Sequence, residues 1–155
     1  MGAAVLATGF LGGSTGAEFL ELLDHEKILH HFIEIRGKTR TNVTISLEAS
    51  HEQTRLSFPG PKIQKKESSA LLELLQLDLP SLIVIGGSLP DGISPAFIKN
   101  IVTEFNKKDI PTFVDVPRKI LKQTLAAKPF FIKPNLTEFQ EMTGKKIVKI
   151  NDVLK

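Results

Sequence analysis

Short apolar runs alternate with amphipathic segments along the chain. At 82–85 the run Leu-Ile-Val-Ile is rich in β-branched residues and ends at Gly86-Gly87, which predicts a strand buried on both faces of a parallel sheet. Comparable strands are predicted at 3–8, 112–116 and 130–133. Between them apolar residues recur at helical spacing. Phe19, Leu20, Leu22 and Leu23 make one stripe, opened near Thr15 by the capping box Thr15-x-x-Glu18 and ended near Asp24-His25-Glu26. Leu71, Leu72, Leu74 and Leu75 mark a helix over 68–77. Ser94 at N-cap and Pro95 at N1 open a third, with Phe97, Ile98, Ile101, Val102 and Phe105 as its stripe. Two more are expected over 118–127 and from Leu136. The order βαβαβα implies right-handed crossovers and a parallel sheet covered by helices.

From 31 to 59 the period is two. Phe32, Ile33 and Ile35, then Val43, Ile45 and Leu47, then Leu56 and Phe58 alternate with polar residues, divided by turn signals at Arg36-Gly37-Lys38 and Ala49-Ser50-His51-Glu52. Strands with one wet face commonly pair antiparallel, so this stretch is expected to form a small sheet projecting from the α/β body.

Composition narrows the function. A chain of 155 residues that is 41% hydrophobic can bury one sizeable core, so one domain is expected. The net charge of +3 is carried in short lysine runs, and no Tyr or Trp interleaves with them, which argues against a nucleic-acid surface. The absence of cysteine excludes disulfides, thiolate metal sites and thiol nucleophiles, and suits a reducing cytoplasm. His25, His30, His31 and His51 lack metal-ligand spacing. No apolar run approaches a membrane span, and the opening residues lack the basic start of a signal peptide.

Three turns carry groups suited to a phosphorylated ligand. Gly86-Gly87-Ser88 follows a strand, where backbone N–H groups and a hydroxyl are expected to face a bound group; an ordinary βα turn is the alternative. Lys133-Pro134-Asn135 with Glu138 comes at the same sheet edge. Lys133 could neutralise phosphate, and Asn135 with Glu138 could organise a hydrated magnesium ion, or could equally be a capping box, with Thr137-x-x-Gln140 as a second in overlapping register. Thr39-Arg40-Thr41-Asn42 lies on the projecting sheet. The Arg40 guanidinium fork suits phosphate, although an arginine on a wet strand face is commonly just solvated. Asp115 ends a strand, as a reactive carboxylate or as a cap before Pro117.

In order, Gly9-Phe10-Leu11-Gly12, Gly37-Lys38-Thr39-Arg40-Thr41-Asn42-Val43, Gly86-Gly87-Ser88-Leu89-Pro90-x-Gly92 and Lys133-Pro134-Asn135-x-x-Glu138 resemble the PfkB branch of the ribokinase-like sugar kinases, and within it the 1-phosphofructokinases. The resemblance spans essentially the whole chain. It implies a Rossmann-like α/β body with a β lid at 31–59 that serves as a homodimer contact. It implies ATP and Mg2+ as cofactors and a sugar phosphate as substrate. Arg40 and Asn42 would contact the sugar phosphate, and Gly87 and Ser88 would lie near the sugar. Lys133, Asn135 and Glu138 would line the nucleotide phosphates, with Asn135 and Glu138 as the magnesium pair. Asp115 belongs to none of these motifs.

Two departures shape the expectation. The family's catalytic aspartate sits in a Gly-Ala-Gly-Asp turn, which is expected beyond Lys155, and the family's first strand with its sugar-binding aspartate is also missing. Residues 1–155 therefore look like the middle of a kinase about twice as long and inactive alone. The implied reaction is phosphorylation of fructose 1-phosphate to fructose 1,6-bisphosphate. Tagatose 6-phosphate is the alternative substrate, and a non-catalytic phospholigand-binding or dimerising module is the alternative from another class.

Overall fold

The computed structural model describes residues 4–47 and 52–147, which gather into two compact units: Met1–Leu77 with Pro90–Ile93, and Asp78–Leu89 with Ser94–Lys155. It has the expected α/β character, with helices on parallel strands and one antiparallel pair. Ala3, Ala49, Ser50 and His51, on which parts of the first strand and second turn were placed, lie outside the described residues. Among the described residues no helix is long and apolar enough to cross a membrane.

The first unit contains β1 (Leu6–Leu11), α1 (Gly13–His25), β2 (Leu29–Glu34), β3 (Val43–Leu47), β4 (Glu52–Leu56) and α2 (Lys65–Leu77). β1 starts three residues later than the expected 3–8 and runs through Gly9, which pairs with Phe32. A Cβ on Gly9 would lie 3.4 Å from the Phe32 ring, so this glycine makes room inside the strand instead of turning out of it. α1 then begins at Gly13, which puts Thr15 inside the helix. The expected Thr15/Glu18 box does not form, and the N-cap is Gly12, with no side chain to offer. The helix starts there because Gly12 is fixed from outside: its N–H donates to Thr39 Oγ1 at 2.9 Å and its carbonyl accepts from the Thr39 N–H at 2.8 Å.

β2 corrects the reading of 31–59 as one antiparallel sheet. It pairs parallel with β1, from Leu6 opposite Leu29 to Leu11 opposite Glu34. Alternation identifies a wet face but not a partner, and a strand that follows β1 through one helix returns alongside it by a right-handed crossover. Among the described residues only β3 and β4 are antiparallel, with Val43 opposite Leu56 and Leu47 opposite Glu52, and all ten of their residues are exposed.

α2 starts at Lys65, three residues before the expected 68. The cause is Glu67, a carboxylate only 5% exposed, whose Oε2 accepts the Gln64 N–H at 2.6 Å and whose Oε1 accepts the Arg36 N–H at 2.9 Å. The Gln64 N–H holds its pKa below the ordinary 4.5 against the opposing push of burial, with help from the Arg36 N–H and the Lys66 charge. A depressed carboxylate stabilises the fold fully above the unfolded-state pKa and loses that contribution as pH falls through the folded-state value. In urea titrations the stability difference between the wild-type chain and Glu67→Gln is therefore expected to be largest above about pH 4.5 and to shrink on acidification. A pH-independent difference would contradict this.

The second unit contains β5 (Ile83–Gly86), α3 (Pro95–Asn106), β6 (Thr112–Asp115), α4 (Arg118–Thr124) running into a 3-10 turn (Leu125–Ala127), β7 (Phe131–Ile132) and α5 (Leu136–Thr143). The strands form a parallel sheet in the order β5-β6-β7. α3 starts as expected, with Ser94 at N-cap and Pro95 following. Ile98 and Val102 from α3, Val114 and Val116 from β6 and its exit, and Leu121 from α4 form the core, with Ile85 and Ile132 packed against them. The opposite sheet face is open in this unit. Val84 is 70% exposed, and Phe113 stacks on Phe130 with centroids 5.8 Å apart. β5 is thus buried on one face, not both, because the helices of this unit pack against the Ile85–Val114–Ile132 side of the sheet.

Candidate functional site

In the second unit, three parallel strands deliver their carboxyl ends to one edge, where open α/β sheets bind ligands. The register sets Gly86 beside Asp115, and Val114 beside Ile132, so Gly87, Ser88, Asp115 and Lys133 all emerge there. The helix following β7 adds Asn135 and Glu138. The two turns expected to meet at this edge, after 85 and after 132, are therefore brought together.

Gly87 adopts φ +92°, a backbone conformation that side-chain-bearing residues rarely take. Its N–H is not open to a ligand as expected; it donates to the Asp115 carbonyl at 3.0 Å and extends the β5–β6 ladder by one bond. What it leaves open is space, since no atom lies within 4 Å of where a Cβ would be. Ser88 follows, exposed, on the same turn.

Asp115, which the family motifs did not single out, pairs with Lys133: Nζ lies 3.0 Å from Oδ2, with both side chains at least half exposed. A pair this wet adds little stability. It does hold the lysine's charge at the sheet edge.

Asn135 and Glu138 form the capping box. Asn135 Oδ1 accepts the Glu138 N–H and Glu138 Oε2 accepts the Asn135 N–H, both at 2.9 Å, while the competing Thr137-x-x-Gln140 register is not used. The box fixes the direction of the Glu138 carboxylate and leaves Oε1 outside it. Oxygen donors from Asp115, Asn135 and Glu138 at one edge match the preference of magnesium for carboxylate and water oxygens. Among the described residues no three His, Cys, Asp or Glu side chains are grouped so as to hold a metal ion. The cavity of about 390 Å³ lined by Arg118, Lys119, Lys122, Gln123, Glu141 and Met142 includes none of these edge residues.

Arg40 and Asn42 belong to the first unit. They sit before β3, not on a strand, in the segment that leaves β2. Asn42 Oδ1 accepts the Phe58 N–H at 3.2 Å, and the Arg40 guanidinium reaches the Phe58 carbonyl at 3.5 Å, so both side chains lie against the strand exit after β4. Glu67, which anchors the start of this segment through Arg36, escaped the sequence reading. The signal was present as Gln64-x-x-Glu67, but a helix start set at 68 left it outside the helix.

The family model for pfkB family carbohydrate kinases matches residues 1–155. The chain superposes on phosphofructokinase-2 from Escherichia coli in complex with fructose-6-phosphate with a TM-score of 0.88 at 28% identity, covering 99% of this chain and 51% of that one. The tetrameric inhibited form of the same enzyme gives 0.83 at 28% identity, over 96% and 50%. The possible 1-phosphofructokinase of Thermotoga maritima gives 0.83 at 26% identity, over 96% and 49%. The chain thus spans about half the length of the structures it matches. With its glycine turn, its Asn-x-x-Glu box and a match running from end to end, the chain belongs to the pfkB family of carbohydrate kinases.

Proposed function

We propose that the full-length protein carrying this chain transfers the γ-phosphoryl group of ATP to a hydroxyl of fructose 1-phosphate, giving fructose 1,6-bisphosphate. The observation behind this reading is the sheet edge that gathers Gly87, Ser88, Lys133, Asn135 and Glu138 in a pfkB-family chain. Phosphoryl transfer depends on positioning and charge neutralisation more than on covalent help from the protein. Lys133 supplies positive charge to the nucleotide phosphates. Asn135 and Glu138, set by their capping box, would hold a hydrated Mg2+ ion, which would supply charge neutralisation. Gly87 gives the sugar room to approach and Ser88 offers it a hydroxyl. Arg40 and Asn42 take the phosphate the sugar already carries.

The proton acceptor is assigned outside residues 1–155, to the family's Gly-Ala-Gly-Asp aspartate, which leaves this segment inactive alone. The exposed Val43, Ile45 and Leu47 of β3 provide an apolar surface for a homodimer formed through the β3–β4 hairpin. The protein is proposed to work in the cytoplasm.

A second substrate reading, fructose 6-phosphate, is favoured by the Escherichia coli structure that holds that sugar. Steady-state assays of the full-length protein on fructose 1-phosphate, fructose 6-phosphate and tagatose 6-phosphate decide between them. The highest kcat/KM is expected with fructose 1-phosphate. A preference for either other sugar replaces the substrate, and no transfer to any of them leaves the non-catalytic phospholigand module.

A further inference from the structure

We infer that Glu67 is a positioning residue for the Arg40 segment, and that its second carboxylate oxygen serves the substrate phosphate, not the helix on which it sits. The inference rests on the proposed role of Arg40.

A glutamate near a helix start needs one backbone N–H to act as a cap, and Glu67 has that in Gln64, three residues back. Its other oxygen crosses thirty-one residues of sequence to the Arg36 N–H. Arg36 opens the segment that carries Arg40. Glu67 is the one buried acidic residue among those described, and both of its oxygens accept from main-chain donors. A buried carboxylate is costly unless its oxygens are satisfied, so holding Arg36 is part of what keeps this one in place.

The segment beyond Arg36 is fastened again and again. Gly37 lies against Pro61 so closely that an added Cβ would stand 2.4 Å from the proline Cβ. Thr39 exchanges two hydrogen bonds with Gly12, and Asn42 accepts from Phe58. Arg40 lies between these last two fasteners. A flexible arginine loses rotamer freedom when it grips a phosphate, and a loop already fixed at both sides lowers the part of that cost that belongs to the main chain. Glu67 is the fastener on the β2 side of the segment.

Two substitutions separate this role from helix capping. Glu67→Asp retracts the carboxylate by one methylene, which leaves a good acidic cap for Gln64 but withdraws the oxygen from Arg36. Glu67→Gln keeps the length and sets an amide NH2 against one of two N–H donors. In the full-length protein both are expected to raise KM for the sugar phosphate about three- to tenfold, with kcat and KM for ATP within about twofold. Amide exchange at Arg36 in the full-length protein is expected to quicken in both. A folded Glu67→Asp protein with unchanged sugar-phosphate KM, beside an Arg40→Ala protein whose KM rises, overturns the inference. If Arg36 exchange quickens but Arg40→Ala leaves KM unmoved, the reading of Arg40 fails while the fastening stands. If neither variant folds, Glu67 serves the fold alone and the positioning role is overturned.

Discussion

Gly92→Ala is expected to destabilise the chain by at least about 3 kcal/mol. Gly92 has φ +87°, and a Cβ built on it would lie 2.1 Å from the Ile63 carbonyl oxygen. Neither problem can relax easily. Ile63 is 3% exposed, and its own N–H donates to the Asp91 carbonyl at 2.7 Å, so the main chain that would have to retreat is tied to the turn it would retreat from. Gly144→Ala is the control: φ is +70°, but nothing lies within 4 Å of the added carbon. That variant carries only the conformational cost, on the order of 1 kcal/mol. Urea unfolding midpoints at unchanged m-value measure both. Equal losses in the two variants would mean that the Gly92–Ile63 contact does not constrain the fold.

Arg40→Ala in the full-length protein is expected to lower kcat/KM for the sugar phosphate by roughly ten- to a hundredfold, through KM, and to leave KM for ATP nearly unchanged. The estimate follows from one charge-assisted bond to phosphate, on the order of 1.5 to 3 kcal/mol. Arg40→Lys keeps the charge and loses the planar fork, so it should fall between wild type and alanine. The side chain is exposed, and its contact with the Phe58 carbonyl is long, at 3.5 Å. Loss of folding is therefore not expected to confuse the measurement, because exposed substitutions usually shift stability by no more than about 0.5 kcal/mol. Sugar-phosphate kinetics that survive Arg40→Ala intact would remove Arg40 from the site.

The helices were legible wherever a stripe and a start signal agreed, as in α3, where Ser94-Pro95 precedes four buried residues of the expected face. α1 shows the limit. Thr15 and Glu18 satisfy the local rule for a helix start, but Gly12 is held by Thr39, twenty-seven residues away, and that tie moves the start to Gly13. Strand partners were hidden for the same reason. The alternation in β2 and β3 is alike in sequence, yet one strand joins a parallel pair and the other a hairpin, because partners are chosen by crossover geometry and not by periodicity. At the sheet edge, Lys133, Asn135 and Glu138 were legible as a motif. The Asp115–Lys133 pair was not, since it depends on the β6–β7 register.

The return of Pro90–Ile93 to the first unit has a consequence for synthesis on the ribosome. That unit cannot close when Leu77 emerges; it waits for sixteen more residues, about one to three seconds of translation. Within that wait the nascent chain also exposes Ile83, Val84 and Ile85, whose partner strand begins only at Thr112. The edge of β5 that β6 covers thus stands open until Thr112 has emerged, which makes this interval a point where a chaperone has much to protect.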